Sequence, residues 1–177
     1  MRSKSAGFLL FAAVIAVSLL YQANVARATP ASGFVATTLA KGQLAQFEVF
    51  NHSILPNTNP TDDDRNVWLS WQKTKNSSDL YIQSNVWQPG GTTGWHSHPG
   101  HSLIIVTAGT LTDYMGDDPT CTPHVYTVGQ SFVDHGGTHT HIIRNEGSVV
   151  AQTIAVQLIP AGQPRRIDAA TPGNCSF

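Results

Sequence analysis

The chain has 177 residues, of which 41% are hydrophobic and 12% are charged, and its formal net charge is −1. So few lysines and arginines argue against nucleic-acid binding, which rests largely on neutralising phosphate charge. The plentiful apolar residues also argue against disorder, which goes with high charge and few apolar side chains. The composition therefore favours a folded globular domain with a partner other than nucleic acid.

The N-terminal segment has the three parts of a secretory signal peptide. Arg2 and Lys4 precede an apolar run from Gly7 to Leu20, and small residues follow at Ala26-Arg27-Ala28. A basic start, a short apolar middle and an A-x-A end are the features of a cleaved signal. A membrane anchor is the weaker alternative, because the run is shorter than the ~20 apolar residues that span a bilayer. We predict a signal peptide over residues 1–28 and a secreted or periplasmic protein with no membrane association after cleavage.

Cleavage after Ala28 would leave residues 29–177, a length that suits one domain with a real core. Without the three basic residues of the signal segment, seven basic residues face 11 acidic ones, so the mature protein is weakly acidic. Residues 29–43 are rich in alanine, threonine and glycine, and we predict an extended lead-in there. We predict a β-barrel over residues 44–160 and an irregular tail over residues 161–177.

The elements expected after the lead-in are short strands rich in β-branched and aromatic residues. They occupy residues 44–50, 66–72, 79–87, 102–106, 111–114, 124–128, 131–133, 141–144 and 149–158. Glycine, proline, asparagine and aspartate mark the turns between them. No convincing helical periodicity follows the signal segment. Many short strands with such turns predict an all-β fold, either a sandwich or a barrel.

Cys121 and Cys175 are the only two cysteines in the sequence, and both follow the predicted signal peptide. In an oxidising compartment the default is one disulfide, which here would tie the C-terminal tail to an internal loop. Two free thiols or a cysteine-containing metal site are weaker alternatives, because neither C-x-x-C spacing nor a histidine adjacent to Cys175 occurs. We predict a disulfide between the two cysteines.

Seven of the eight histidines lie between His96 and His141. His96 and His98 flank one serine, and His139 and His141 repeat that spacing. Residues two apart on a strand point to the same face, so each pair would place two imidazoles in one space. Imidazole suits iron, zinc, copper and nickel, and manganese accepts it beside oxygen ligands. Two such pairs predict a site for a divalent transition metal.

The residues around the first histidine pair resemble the first conserved motif of the cupin family. That motif runs glycine, five residues, His-x-His, three or four residues, glutamate, six residues, glycine. Gly90, His96, His98 and Gly109 fall on this pattern. The glutamate position holds Ser102, and no glutamate lies nearby. The first motif is therefore present except for its carboxylate.

The residues before and after His141 resemble the second cupin motif, which runs glycine, five residues, Pro-x-Gly, two residues, histidine, three residues, asparagine. Gly129, Gly137, His141 and Asn145 resemble it, with one extra residue before the histidine. His135 stands where the motif has proline. The resemblance covers roughly residues 80–160, and two motifs in the right order are much more specific than either alone. Together with the strand pattern, the resemblance implies an all-β fold, an antiparallel, jelly-roll-like β-barrel.

The resemblance implies a metal ion bound by three histidines, namely His96, His98 and His141. In metal-dependent cupins the glutamate usually completes this ligand set, so water or a substitute side chain would complete it here. The candidates for that substitute are His101, Ser102 and His139. Asn145 lies two strand periods beyond His141 on the same face, and we expect it to orient a ligand by hydrogen bonding.

The resemblance leaves two function classes open, because cupins include both and the fold alone does not decide between them. The first is a small metalloenzyme, of the oxygenase, isomerase or lyase class, that acts on a small molecule outside the cytoplasm. The alternative is a non-catalytic cupin that binds a small ligand or a metal. The metal would be iron, manganese, zinc, copper or nickel. Asp113 and Asp134 are candidate general bases near the ligand strands, and the family also makes a homodimer plausible.

Overall fold

A computed structural model of the chain describes residues 28–54 and 67–177, and the signal peptide predicted for residues 1–28 lies almost wholly outside them. Within these two ranges no helix is long and apolar enough to cross a membrane. The described residues form twelve β-strands. In chain order these are β1 (Ser32–Leu44), β2 (Glu48–Ile54), β3 (Val67–Lys73), β4 (Ser78–Thr92), β5 (His96–Ser97), β6 (Ser102–Ala108), β7 (Thr110–Met115), β8 (His124–Thr127), β9 (Ser131–Asp134), β10 (His141–Arg144), β11 (Ala151–Pro160) and β12 (Ile167–Asp168).

Ten of these strands form one antiparallel sheet that curls into a nearly closed barrel, while β2 and β3 form a separate hairpin. The long strand β4 pairs with β1 on one side and with β11 on the other. β11 continues the sheet to β6, and β6 pairs with β9. On the opposite wall, β10 pairs with β4, β5 and β7. The predicted all-β, antiparallel, jelly-roll-like barrel is confirmed.

The strands predicted from side-chain patterns occur, but their limits differ at the start of the domain. Residues 32–44, most of the segment expected to be an extended lead-in, form a sheet strand that pairs with β4 along its whole length. The strand predicted at residues 44–50 is wrong, because Leu44 ends β1 and Glu48 begins β2. Strands β5 and β12 were not predicted, because two residues are too few to show any alternation.

Strand β4 turns its polar face into the barrel. Gln83 and Asn85 are buried together with Trp87, whereas Ile82, on the outer face, is 37% exposed. Antiparallel strands with one solvated face ordinarily bury their apolar side. Inside, the Nδ2 of Asn85 donates a hydrogen bond to Thr153 Oγ1, at 3.2 Å. The polar interior indicates that this part of the barrel holds a site as well as a packed core.

The C-terminal tail is attached to β5, the strand that begins at His96. β12 pairs with β5, and the Ala169 N–H donates to the Trp95 carbonyl at 2.9 Å. Trp95 is fully buried in a small apolar cluster, against which the two cysteines pack. Cys121 and Cys175 lie at disulfide-bonding distance, with their Cα atoms 5.3 Å apart. The tail therefore forms part of the wall around the histidines.

Candidate metal centre

Three histidine side chains converge inside the barrel. His96 begins β5, His98 follows that strand, and His141 begins β10, where its Cα is paired with that of His96. One ring nitrogen of each histidine lies within 4.8 Å of those of the other two. His96 and His141 are buried, and His98 is mostly so. The structure thus brings together the three residues that the sequence suggested as metal ligands.

The outer ring nitrogens of His96 and His141 each face an oxygen acceptor. His96 Nδ1 lies 2.9 Å from the Gly94 carbonyl oxygen, and His141 Nδ1 lies 3.1 Å from Asp113 Oδ1. A carbonyl or a carboxylate oxygen only accepts hydrogen bonds, so each Nδ1 carries the proton. In the neutral ring the other nitrogen, Nε2, then presents a lone pair. Both rings are held in the tautomer that a metal ligand needs.

His98 has the same orientation through the C-terminal tail. Its Nδ1 donates to the Arg165 carbonyl oxygen, which also accepts a 3.2 Å hydrogen bond from Gln157 Nε2. Gln157 is almost fully buried in β11. The tail therefore fixes the tautomer of a histidine that lies 67 residues earlier in the chain, and no sequence pattern marks a backbone carbonyl for such a role.

The surroundings of the three rings shift their pKa values in different directions. Burial lowers the pKa of His96 well below its ordinary value, and His141 and His98 lower it further. Burial also lowers the pKa of His98, although the charge of Asp134 opposes this. Burial acts in the same sense on His141, but the hydrogen bond and charge of Asp113 outweigh it and raise that pKa. His96 and His98 are therefore neutral at neutral pH, as metal ligands must be.

Two acidic residues that the sequence suggested only as general bases contact the rings of this group. Asp113 is buried in β7, and because Met115 is paired with His141, Asp113 is the diagonal neighbour of that histidine on the adjacent strand. Asp134 ends β9, and its Oδ2 lies 3.2 Å from His98 Nε2. The register between paired strands places both carboxylates beside the histidines. The spacing of residues along a single strand does not show this proximity.

The structure corrects the expected ligand roles of His101 and His139. His101 Nε2 lies 3.3 Å from Gln72 Nε2, in a separate cleft beside β3. His139 is exposed, with its Nδ1 3.2 Å from Asp117 Oδ2. Because β10 begins only at residue 141, His139 lies outside the strand, and the alternation of side chains does not place it beside its neighbour. Neither ring belongs to the converging group.

Ser102 and Asn145 are both buried, but neither contacts the three histidines by a hydrogen bond within the described residues. Ser102 Oγ donates to Asp134 Oδ2 at 3.4 Å, so it borders the site through that carboxylate. Asn145 Nδ2 donates to two backbone carbonyls, those of Trp87 and Val149. The side chain of Asn145 therefore braces the turn after β10, and the side chain that contacts His141 is that of Asp113.

A cavity of about 100 Å³ lies beside the histidines. Four buried polar atoms on its lining residues lack a hydrogen-bond partner within residues 28–54 and 67–177. They are His141 Nε2, Trp87 Nε1, Gln157 Oε1 and Arg165 Nη1. Buried polar groups are ordinarily paired, so a set of unpaired ones around one cavity indicates that the cavity takes a polar or charged guest.

Comparison with known proteins agrees with the fold. Residues 86–157 match the family model described as the cupin domain, and no curated protein matches the chain in sequence. Similar solved structures include an oxalate oxidase in complex with the substrate analogue glycolate (24% identity, covering 44% of this chain and 41% of that chain, TM-score 0.40). They also include an uncharacterised double-stranded β-helix protein from Klebsiella pneumoniae (18% identity, covering 51% and 74%, TM-score 0.43).

A third similar structure is a predicted oxalate decarboxylase from Thermotoga maritima (16% identity, covering 48% of this chain and 83% of that chain, TM-score 0.39). The matched region spans less than half the length of the oxalate oxidase. The match to the family model includes all three converging histidines. Residues 86–157 of this chain are therefore similar to the cupin domain.

Proposed function

We propose that this protein binds one divalent transition metal through His96, His98 and His141 and acts as a small metalloenzyme outside the cytoplasm. The observation that carries the proposal is the shared orientation of the three rings. Each Nδ1 faces a protein oxygen, so all three Nε2 atoms are directed to the interior. A cation bound there would accept one lone pair from each ring.

The unpaired Nε2 of His141 supports the fit between these residues and a metal ion. This atom is buried and has no hydrogen-bond partner within the described part of the chain. A buried acceptor without a partner costs about 1–3 kcal/mol, and coordination to an ion would remove that cost. Iron, manganese, zinc, copper and nickel are all suited to imidazole nitrogen. When bound, such an ion would supply Lewis-acid chemistry at an open coordination position.

The cavity limits the class of molecule that would react. Its volume of about 100 Å³ is smaller than the roughly 150 Å³ cavity that holds a benzene molecule. The substrate would therefore have only a few non-hydrogen atoms. The unpaired Nη1 of Arg165 favours a negatively charged or strongly polar group, and Gln157 Oε1 would accept a hydrogen bond from a hydroxyl or amine of the same molecule. Reactions of the oxygenase, isomerase or lyase class fit a small polar molecule of this kind.

The small cavity also supports a second candidate, a non-catalytic cupin that holds a metal or a small ligand. Both candidates place the protein in an oxidising compartment, which the disulfide-distance pair Cys121 and Cys175 supports. The homodimer expected from the family belongs to the same proposal. Light scattering of the purified protein would test it through a mass of twice that of the chain.

The proposal is tested by elemental analysis of protein purified without a histidine tag. We expect a near-stoichiometric transition metal in the wild type and none in the His96→Ala/His98→Ala variant. A matched control is His101→Ala/His139→Ala, which removes two histidines outside the converging group and should keep the metal. Wild-type protein that holds no metal after incubation with each divalent ion would overturn the proposal, as would a metal retained by the first variant.

A further inference from the structure

Asp134 occupies the position from which a side chain at residue 102 would reach the histidines. Strands β6 and β9 pair so that the Cα of Ser102 is opposite that of Asp134. Residues directly opposite each other on antiparallel strands project from the same face, with Cβ atoms about 4.5–5.5 Å apart. Both side chains are buried, and Ser102 Oγ donates to Asp134 Oδ2 at 3.4 Å. A carboxylate on β9 therefore enters the space in which the first cupin motif places its glutamate.

One oxygen of this carboxylate is fixed, and the other is directed at the histidines. Asp134 Oδ1 accepts a 3.0 Å hydrogen bond from the Gly136 N–H. Gly136 has a φ of 65°, and a Cβ there would lie 2.2 Å from the Gly100 carbonyl oxygen, so the position requires glycine. Asp134 Oδ2 then lies 3.2 Å from His98 Nε2 and 3.8 Å from His141 Nε2. The turn after β9 thus holds the side chain in one orientation.

The contacts of Oδ2 suit a cation. The Nδ1 atoms of His98 and His141 face other oxygens, so the Nε2 atom of each ring is directed toward Asp134 Oδ2. A metal ion among these three atoms would accept a lone pair from each and would compensate the buried charge of the carboxylate. Ligand atoms about 2.1 Å from one ion lie roughly 3.0–3.4 Å from each other. The 3.2 Å separation between Asp134 Oδ2 and His98 Nε2 lies in this range, and the 3.8 Å separation from His141 Nε2 exceeds it.

On the basis of the proposed metal site, we infer that Asp134 is the fourth protein ligand of the ion and binds it through Oδ2. The ligand set would then be three histidines and one carboxylate, with the carboxylate delivered from β9 instead of β6. The negative charge of Asp134 would reduce the net charge of a divalent site by one. An oxygen ligand also widens the choice of ion toward manganese, which prefers carboxylate and water. The absence of glutamate from position 102 is therefore compensated within the same fold.

The test is the Asp134→Asn variant with Co²⁺ as the probe, read by titration and by visible absorption, which reports the ligands around the ion. Asparagine has the same shape, and its Oδ1 still accepts the Gly136 hydrogen bond, so we expect circular dichroism to show an unchanged fold. We expect Co²⁺ affinity to fall by at least about tenfold, the lower end of the effect seen when a group that only supports a ligand is removed. The absorption spectrum should change as well.

Two further variants make the result specific. Asp117→Asn removes an exposed acid near the site and should leave affinity and spectrum unchanged. Ser102→Glu in the Asp134→Asn background returns a carboxylate from the opposite strand and should recover Co²⁺ affinity. Asp134→Asn protein that binds Co²⁺ within twofold of the wild type, with the same spectrum, would overturn the inference and leave the three-histidine site standing. Wild-type protein that binds no Co²⁺ would overturn the proposed site itself.

Discussion

Removal of the link between Cys121 and Cys175 by the double substitution Cys121→Ala/Cys175→Ala should destabilise the protein by about 4 kcal/mol. The two residues are 54 positions apart in the sequence. For a loop of that length, the restriction of the unfolded chain amounts to about 14 cal/mol/K, or about 4 kcal/mol at 25 °C. In a domain of this size each kcal/mol lowers Tm by about 2–4 °C. The expected fall in Tm is therefore about 8–16 °C.

The assay is thermal unfolding of metal-free protein followed by circular dichroism, with denaturant titration to obtain the free energy of unfolding. Wild-type protein in reductant is the matched control and should unfold close to the variant. Because the Arg165 carbonyl in the same tail holds His98 Nδ1, the variant should also bind Co²⁺ more weakly. A fall in Tm of less than about 3 °C would refute the loop-closure reasoning.

Three other predictions concern groups that support the site or the barrel. Asp113→Leu leaves His141 Nδ1 without its acceptor, so metal affinity measured by titration should fall about 10–100-fold, and an unchanged affinity would contradict the role of Asp113. Gly94→Ala should lower the free energy of unfolding by about 1–3 kcal/mol in denaturant titrations, because Gly94 has a φ of 66° and a Cβ there would lie 2.1 Å from a backbone oxygen. Backbone and Lys41 contacts lower the pKa of Asp79 below 3.8, so Asp79 stabilises the fold above that pH. The wild type should have a higher Tm than Asp79→Asn at pH 7. This difference should vanish as the pH falls below 3.8 and through the pKa of Asp79 in the folded protein. A difference in Tm that does not depend on pH would contradict this.

The spacing of residues along single strands predicted an all-β fold and two histidine pairs, and the resemblance to the cupin motifs added the barrel and the choice of three histidines. Alternation of side chains and the turn residues between them indicated the strands, because both are local properties of the backbone. The His-x-His spacing and the glycines around it were equally local, which is why the two motifs indicated His96, His98 and His141 together. The same reasoning misplaced His139, because the strand that would align it with His141 begins only at that residue.

The groups that orient the histidines depended on pairing between distant segments. Asp134 lies opposite Ser102, and Asp113 lies diagonal to His141, only because of the register of β6 with β9 and of β7 with β10. The Arg165 carbonyl reaches His98 because the tail returns to β5. The sequence by itself indicated most of the strands and the histidine rings that converge between them. Tertiary structure decided which oxygen atoms face those rings, because strand register arises from packing of the whole barrel and not from the local chain.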